Sequence, residues 1–82
     1  MIFLMEYNRL EGEIVSLRAF EETERAEAEG LRLSLELRLG QAKVDHEVVL
    51  LEADSEAALR TTHRRYFSEP RSMLDPNSFK LS

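Results

Sequence analysis

Residues 21–41, EETERAEAEGLRLSLELRLGQ, decide how this chain folds, because their apolar pattern fits two different structures. Between Gly30 and Gly40, leucine occupies every second position, which is the period of a β-strand with one apolar face. The same stretch has no β-branched or aromatic residue, and Leu, Arg and Glu are good helix formers. A helix confined to residues 21–29 would offer only alanines for packing and would be too short to be stable alone. We therefore favour one helix over residues 21–41, with a fourth strand over residues 31–39 as the alternative.

The predicted long helix carries two apolar stripes on roughly opposite sides, since successive residues are rotated by about 100°. One stripe consists of Ala26, Gly30, Leu33 and Leu37, and the other of Ala28, Leu31, Leu35 and Leu39. We assign the first stripe to the core. A second leucine-bearing face on a surface helix is typical of an interface. We therefore predict a homodimer whose interface contains Leu31, Leu35 and Leu39.

The segments on either side of this helix have the patterns of strands and of a second helix. Residues 2–7 and 13–20 are apolar and are separated by a short loop with Asn8 and Gly12, which predicts a β-hairpin. Residues 46–53, HEVVLLEA, predict a buried strand. Ser55 is typical of a helix N-cap and predicts a second helix that runs to about Tyr66.

These elements predict a small α+β domain with the order β-β-α-β-α. We expect a three-stranded sheet with two helices packed on one face, formed by residues 1–67. Residues 68–82 are rich in serine and contain both prolines, which predicts an irregular C-terminal tail. In that tail, Met73, Leu74 and Phe79 are the residues that would order it against the domain.

The composition limits how such a domain is stabilised and where it works. Its 82 residues support only a small core, and the absence of cysteine excludes disulfides and thiolate zinc sites. Oligomerisation is therefore the expected source of extra stability. The net charge of −5 disfavours general affinity for nucleic acid or anionic membranes. The apolar run at residues 1–5 is too short for a signal sequence or a membrane span, so we expect a cytoplasmic protein with no membrane partner.

The predicted final helix contains the candidate binding residues. They combine cations with an aromatic ring, a set that grips phosphate or stacks on a base: Arg60, His63, Arg64, Arg65 and Tyr66. The competing interpretation is structural, because arginines near a helix C-terminus offset the helix dipole and pair with surface acids. His63 fits a half-buried position at the edge of the apolar face better than a catalytic one, since no nucleophile or orienting acid accompanies it.

No arrangement of residues in the sequence predicts catalysis or metal binding. Asp45, His46 and Glu47 are adjacent, and neighbours in a strand point to opposite faces, so they cannot chelate one ion together. No glycine-rich phosphate-binding pattern is present. We expect no enzymatic activity, cofactor or metal. The function we predict is a non-enzymatic protein-interaction or regulatory module that acts as a homodimer, with an acidic protein surface as a further partner. The alternative is a small anion or nucleic-acid binder that uses the arginine-rich final helix.

Overall fold

The computed structural model describes residues 1–67 of the chain. Three strands and three helices follow one another: β1 (Ile2–Asn8), β2 (Glu13–Phe20), α1 (Arg25–Ala42), β3 (His46–Glu52), α2 (Glu56–Thr62) and α3 (Arg64–Phe67). A single 3-10 turn, Glu22–Glu24, leads into α1. The predicted tail at residues 68–82, with Met73, Leu74 and Phe79, lies outside the described residues.

The sheet is three-stranded and antiparallel, with the order β2-β1-β3, so the predicted α+β class is confirmed. β1 is central, and its residues from Ile2 to Tyr7 are all buried. A strand that is apolar on both faces loses the most water from its surface when it is paired on both sides and covered above and below. The sequence of β1 therefore explains its position.

The hairpin between β1 and β2 forms at the predicted loop. The side-chain oxygen of Asn8 accepts a hydrogen bond from the N–H of Glu11 at 3.0 Å, and Gly12 takes up the left-handed φ of 70° that the turn requires. The pairing register then shifts between Glu6 and Tyr7, so that Val15 is an extra residue in β2. This bulge turns Ile14 toward the same face as Tyr7 and leaves Val15 half exposed.

The long helix is confirmed, and the alternative fourth strand over residues 31–39 does not form. The Glu24 carboxylate accepts a hydrogen bond from the Glu21 N–H at 2.8 Å in the turn before α1. At the other end, Lys43 adopts a left-handed conformation, with φ of 60°. The N–H of Val44 then donates to the carbonyl oxygen of Leu39 at 2.9 Å, which ends the helix.

Helices α1 and α3 lie on opposite faces of the sheet, whereas the sequence predicted both helices on one face. One core cluster joins Ile2, Leu4 and Phe20 of the sheet to Ala28 and Leu31 of α1. A second cluster on the other face joins Met5 and Tyr7 to Tyr66 and Phe67 of α3. The physical reason is again β1, because both of its faces are apolar and each needs a covering layer.

The assignment of the two stripes of α1 to core and surface was also wrong. Leu31, predicted to face a partner, packs against the core cluster, and Leu35 and Leu39 on the same side are half-buried. Leu33 and Leu37, predicted to be in the core, are 54% and 60% exposed. Burying the side with three leucines removes more apolar surface from water than burying the side with two. This difference explains which side of α1 faces the sheet.

The predicted second helix begins as expected but does not continue to Tyr66. The Ser55 hydroxyl caps α2 by accepting a hydrogen bond from the Ala58 N–H at 3.1 Å. The helix ends at Thr62, where the side chains of Thr61 and Thr62 donate back to the carbonyl oxygens of the preceding turn. Such bonds compete with a regular helix, and α3 starts anew after His63.

Candidate functional site

The outer face of α1 carries two large apolar side chains, Leu33 and Leu37, that residues 1–67 leave exposed. We define the outer face as Ala26, Gly30, Leu33, Leu37 and Gly40, which are all exposed. The inner face consists of Ala28, Leu31, Leu35 and Leu39, of which Ala28 and Leu31 pack in the core cluster and Leu35 and Leu39 are half-buried. The outer residues are spaced by four, three, four and three positions, the spacing that aligns side chains along a helix for contact with another helix. Adjacent exposed leucines on such a stripe are typical of an interaction surface.

The two glycines of the outer face have no evident structural role within one chain. Both have ordinary helical backbone, and a Cβ atom added at Gly30 or Gly40 would meet no atom of residues 1–67 within 4 Å. Each glycine costs a helix interior about 1 kcal/mol relative to alanine. Glycine would be useful here if another backbone approached closely. The sequence analysis placed Gly30 in the core stripe and so missed this feature.

Two of the candidate binding residues, Arg60 and Arg65, are engaged in contacts within the chain. The Arg60 guanidinium donates to the Glu56 carboxylate at 2.8 Å and lies over the Phe67 ring, 4.7 Å from its centroid. Arg65 lies over the Tyr66 ring at 4.2 Å and reaches Glu47 at 3.4 Å. Both arginines therefore hold the final helices to each other and to the sheet. This is the structural interpretation that competes with a binding role.

Tyr66 is a packing residue of the second core cluster. Its ring meets Tyr7 edge to face with 5.0 Å between the centroids, and its hydroxyl donates to the Glu47 carboxylate at 2.7 Å. Burial raises the pKa of Tyr66, and the hydrogen bond to Glu47 raises it further. Of the other candidates, His63 is half-buried where α2 ends and Arg64 is exposed. The structure thus gathers Arg65 and Tyr66 around Glu47, while Arg60 turns to Glu56.

A buried ionisable pair that the sequence analysis did not predict joins β1 to β3. The Glu6 carboxylate, 9% exposed, lies 2.6 Å from Nδ1 of His46, on the face covered by α1. Burial of a carboxylate is costly unless a partner compensates, and His46 supplies that partner. The sequence signal for this pair was Glu6, the single acid within the apolar run of β1.

The adjacent residues Asp45, His46 and Glu47 contact three different places. Asp45 pairs with Arg9 at 2.8 Å, His46 with Glu6, and Glu47 with Tyr66. Strand alternation places His46 and Glu47 on opposite faces of β3, and Asp45 lies just before the strand. Within residues 1–67, no group of three or more His, Asp or Glu side chains is placed to hold a metal ion.

No protein-family model, curated protein or solved structure matches this chain. Among the described helices, none has both the length and the apolar character required to cross a membrane. The class supported by the fold is a small α+β domain, and the outer face of α1 is its candidate interaction site.

Proposed function

We propose that this protein is a non-enzymatic protein-interaction module that acts as a homodimer, with the outer face of α1 as its contact surface. The observation that carries the proposal is the exposure of Leu33 and Leu37, 54% and 60%, on a helix whose other side is packed against the sheet. A second copy would cover both leucines and add apolar burial to a domain with a small core.

The dimer that we propose uses the opposite side of α1 from the one the sequence predicted. Leu31 packs within the chain, so a dimer through it would have to displace the sheet. Docking through Leu33 and Leu37 leaves each protomer intact. A single helix face is small compared with standard interfaces of about 800 Å² per partner, so we expect a weak dimer.

The arginine-bearing helices give less support to the alternative, an anion or nucleic-acid binder. Arg60 and Arg65 already contact Glu56 and Glu47, and both stack on aromatic rings. A phosphate would have to compete with those carboxylates, in a chain of net charge −5. The same competition applies to an acidic protein surface.

Light scattering of Leu37→Glu and Leu10→Glu, each compared with the parent chain, tests the proposal. Leu10 lies in the hairpin turn and is 91% exposed, so both variants place the same charge at an exposed leucine. We expect the parent and Leu10→Glu to dimerise as concentration rises to about 1 mM, and Leu37→Glu to stay monomeric, because a charge in an apolar contact is costly. A monomeric parent at that concentration would contradict the proposal, as would a dimer unaffected by Leu37→Glu.

A further inference from the structure

The outer face of α1 has a sequence that is symmetric about position 35. Leu33 and Leu37 stand two residues to either side of that position, and Gly30 and Gly40 stand five residues away. Large residues therefore occupy the middle of the stripe, and glycines flank them on both sides.

In a two-fold antiparallel helix pair centred on position 35, this symmetry would match leucine with leucine and glycine with glycine. In an interface with two-fold symmetry, one patch meets a copy of itself, so each residue pair occurs twice. If two copies of α1 cross antiparallel with the axis at position 35, Leu33 lies level with the partner's Leu37. Gly30 then lies level with the partner's Gly40. Two glycines at one level let the backbones approach closely, which gives a reason for residues that a single chain does not need.

The charges beside the stripe favour the same orientation. Glu27 and Glu29 project on the two flanks of the outer face, near the start of α1. An antiparallel pair places the acidic starts of the two helices at opposite ends of the contact. A parallel pair in register would instead bring Glu29 near the partner's Glu27, and like charges at that distance repel. We infer that the protein forms a two-fold dimer in which the outer faces of two antiparallel α1 helices meet, with Gly30 of each chain against the partner's Gly40.

This inference rests on the proposed homodimer but makes a separate claim about its orientation. The two α1 helices would lie at the centre of the dimer, each between its partner's α1 and its own sheet, with α3 on the outer face of each sheet. Disulfide trapping distinguishes the orientations cleanly, because the chain has no cysteine and each engineered thiol is the only one present. A disulfide requires Cα atoms about 4.4–6.8 Å apart.

The experiment mixes Gly30→Cys chains with differently tagged Gly40→Cys chains under mild oxidation. Antiparallel pairing places these two positions at the same level, whereas two copies of Gly30→Cys hold their thiols about 15 Å apart along the axis, from a rise of 1.5 Å per residue. We expect the mixed disulfide to form at least about tenfold faster than either self-disulfide, a difference set by that separation. Cysteine at Leu10, outside α1, is the control for random collisional coupling.

Each outcome has a distinct meaning for the two claims. Rapid self-coupling of Gly30→Cys, with little mixed disulfide, would show a parallel pair and overturn the inference while leaving the homodimer. A parent dimer that Leu37→Glu dissociates, without preferred mixed coupling, would also overturn only the orientation. A parent chain that remains monomeric by light scattering, with all couplings at the level of the Leu10→Cys control, would overturn both.

Discussion

The inner and outer faces of α1 are built from the same kinds of residue and have opposite environments. On the inner face, Ala28 is fully buried and Leu31 packs against the sheet. On the outer face, Ala26 is exposed and Leu33 is 54% exposed. Alanine and leucine thus occur on both sides of one helix, and their burial follows from what lies next to them. An apolar stripe therefore indicates that a helix face makes a contact. The stripe does not distinguish a contact within the chain from a contact with another chain.

The largest difference between the two faces should appear when a charge is placed at the matched alanines. We expect Ala28→Glu to lose about 3 kcal/mol or more of unfolding free energy, because the carboxylate would be buried against Ile2 and Leu4. Ala26→Glu should change it by less than about 0.5 kcal/mol. Urea denaturation of both variants, at a concentration where the protein is monomeric, measures the difference. Equal losses would mean that the two faces do not differ as described.

A smaller contrast is expected at the leucines. Leu31→Ala should cost the monomer about 2 kcal/mol, toward the low end for a leucine truncation because the side chain is only partly buried. Leu33→Ala should cost less than about 0.5 kcal/mol, since its side chain is mostly in water. The effects on dimer affinity should have the reverse order: Leu33→Ala should dimerise more weakly than Leu31→Ala. Urea midpoints and light scattering on the same samples report the two quantities separately.

Tyr66, on the opposite face of the sheet, tests whether the dimer depends on α1 or on overall stability. Tyr66→Phe removes the hydrogen bond to Glu47 and should cost about 1–2 kcal/mol, without weakening the dimer. If Tyr66→Phe weakens the dimer as much as Leu33→Ala does, the proposal that the dimer depends on the outer face is wrong.

The same variant should alter the response of stability to alkaline pH. The pKa of Tyr66 is raised in the folded state, so the unfolded chain loses this proton first as pH increases. The contribution of Tyr66 is therefore complete below about pH 10, the ordinary tyrosine pKa, and is lost as pH rises through the folded value. Thermal melting between neutral pH and pH 11 should show a steeper decline for the parent than for Tyr66→Phe. Parallel declines would contradict the burial of this hydroxyl.

The smallest expected effect concerns the glycines of the outer face. Gly30→Ala and Gly40→Ala should each stabilise the monomer by up to about 1 kcal/mol, since the added Cβ atom meets no neighbour among residues 1–67. Both should weaken the dimer, because the methyl group would separate the two backbones. A more stable monomer together with a weaker dimer would support the proposed contact. A more stable monomer together with a stronger dimer would show that the glycines are not at the contact.

The sequence by itself predicted the three strands, the long helix and the start of the second helix to within a few residues, but not the break at His63 that separates α2 from α3. The strand pattern of β1, the Asn8 and Gly12 turn and the Ser55 cap are local signals, and each formed as predicted. The helix over residues 31–39 was decided by residue type against a strand-like period, because helix propensity is also a local property. The two-sided apolar character of β1 indicated its central position.

Only the tertiary structure decided which side of each element meets which neighbour. The two stripes of α1 are nearly equal in apolar content, so the choice depends on the surface that the sheet presents, a contact between residues far apart in sequence. The Glu6–His46 pair and the Tyr66–Glu47 hydrogen bond join residues 40 and 19 positions apart, and neither leaves a periodic trace. Local preferences fix helices and strands because they act over a few residues. The burial that separates the core from a contact surface is settled by the whole fold.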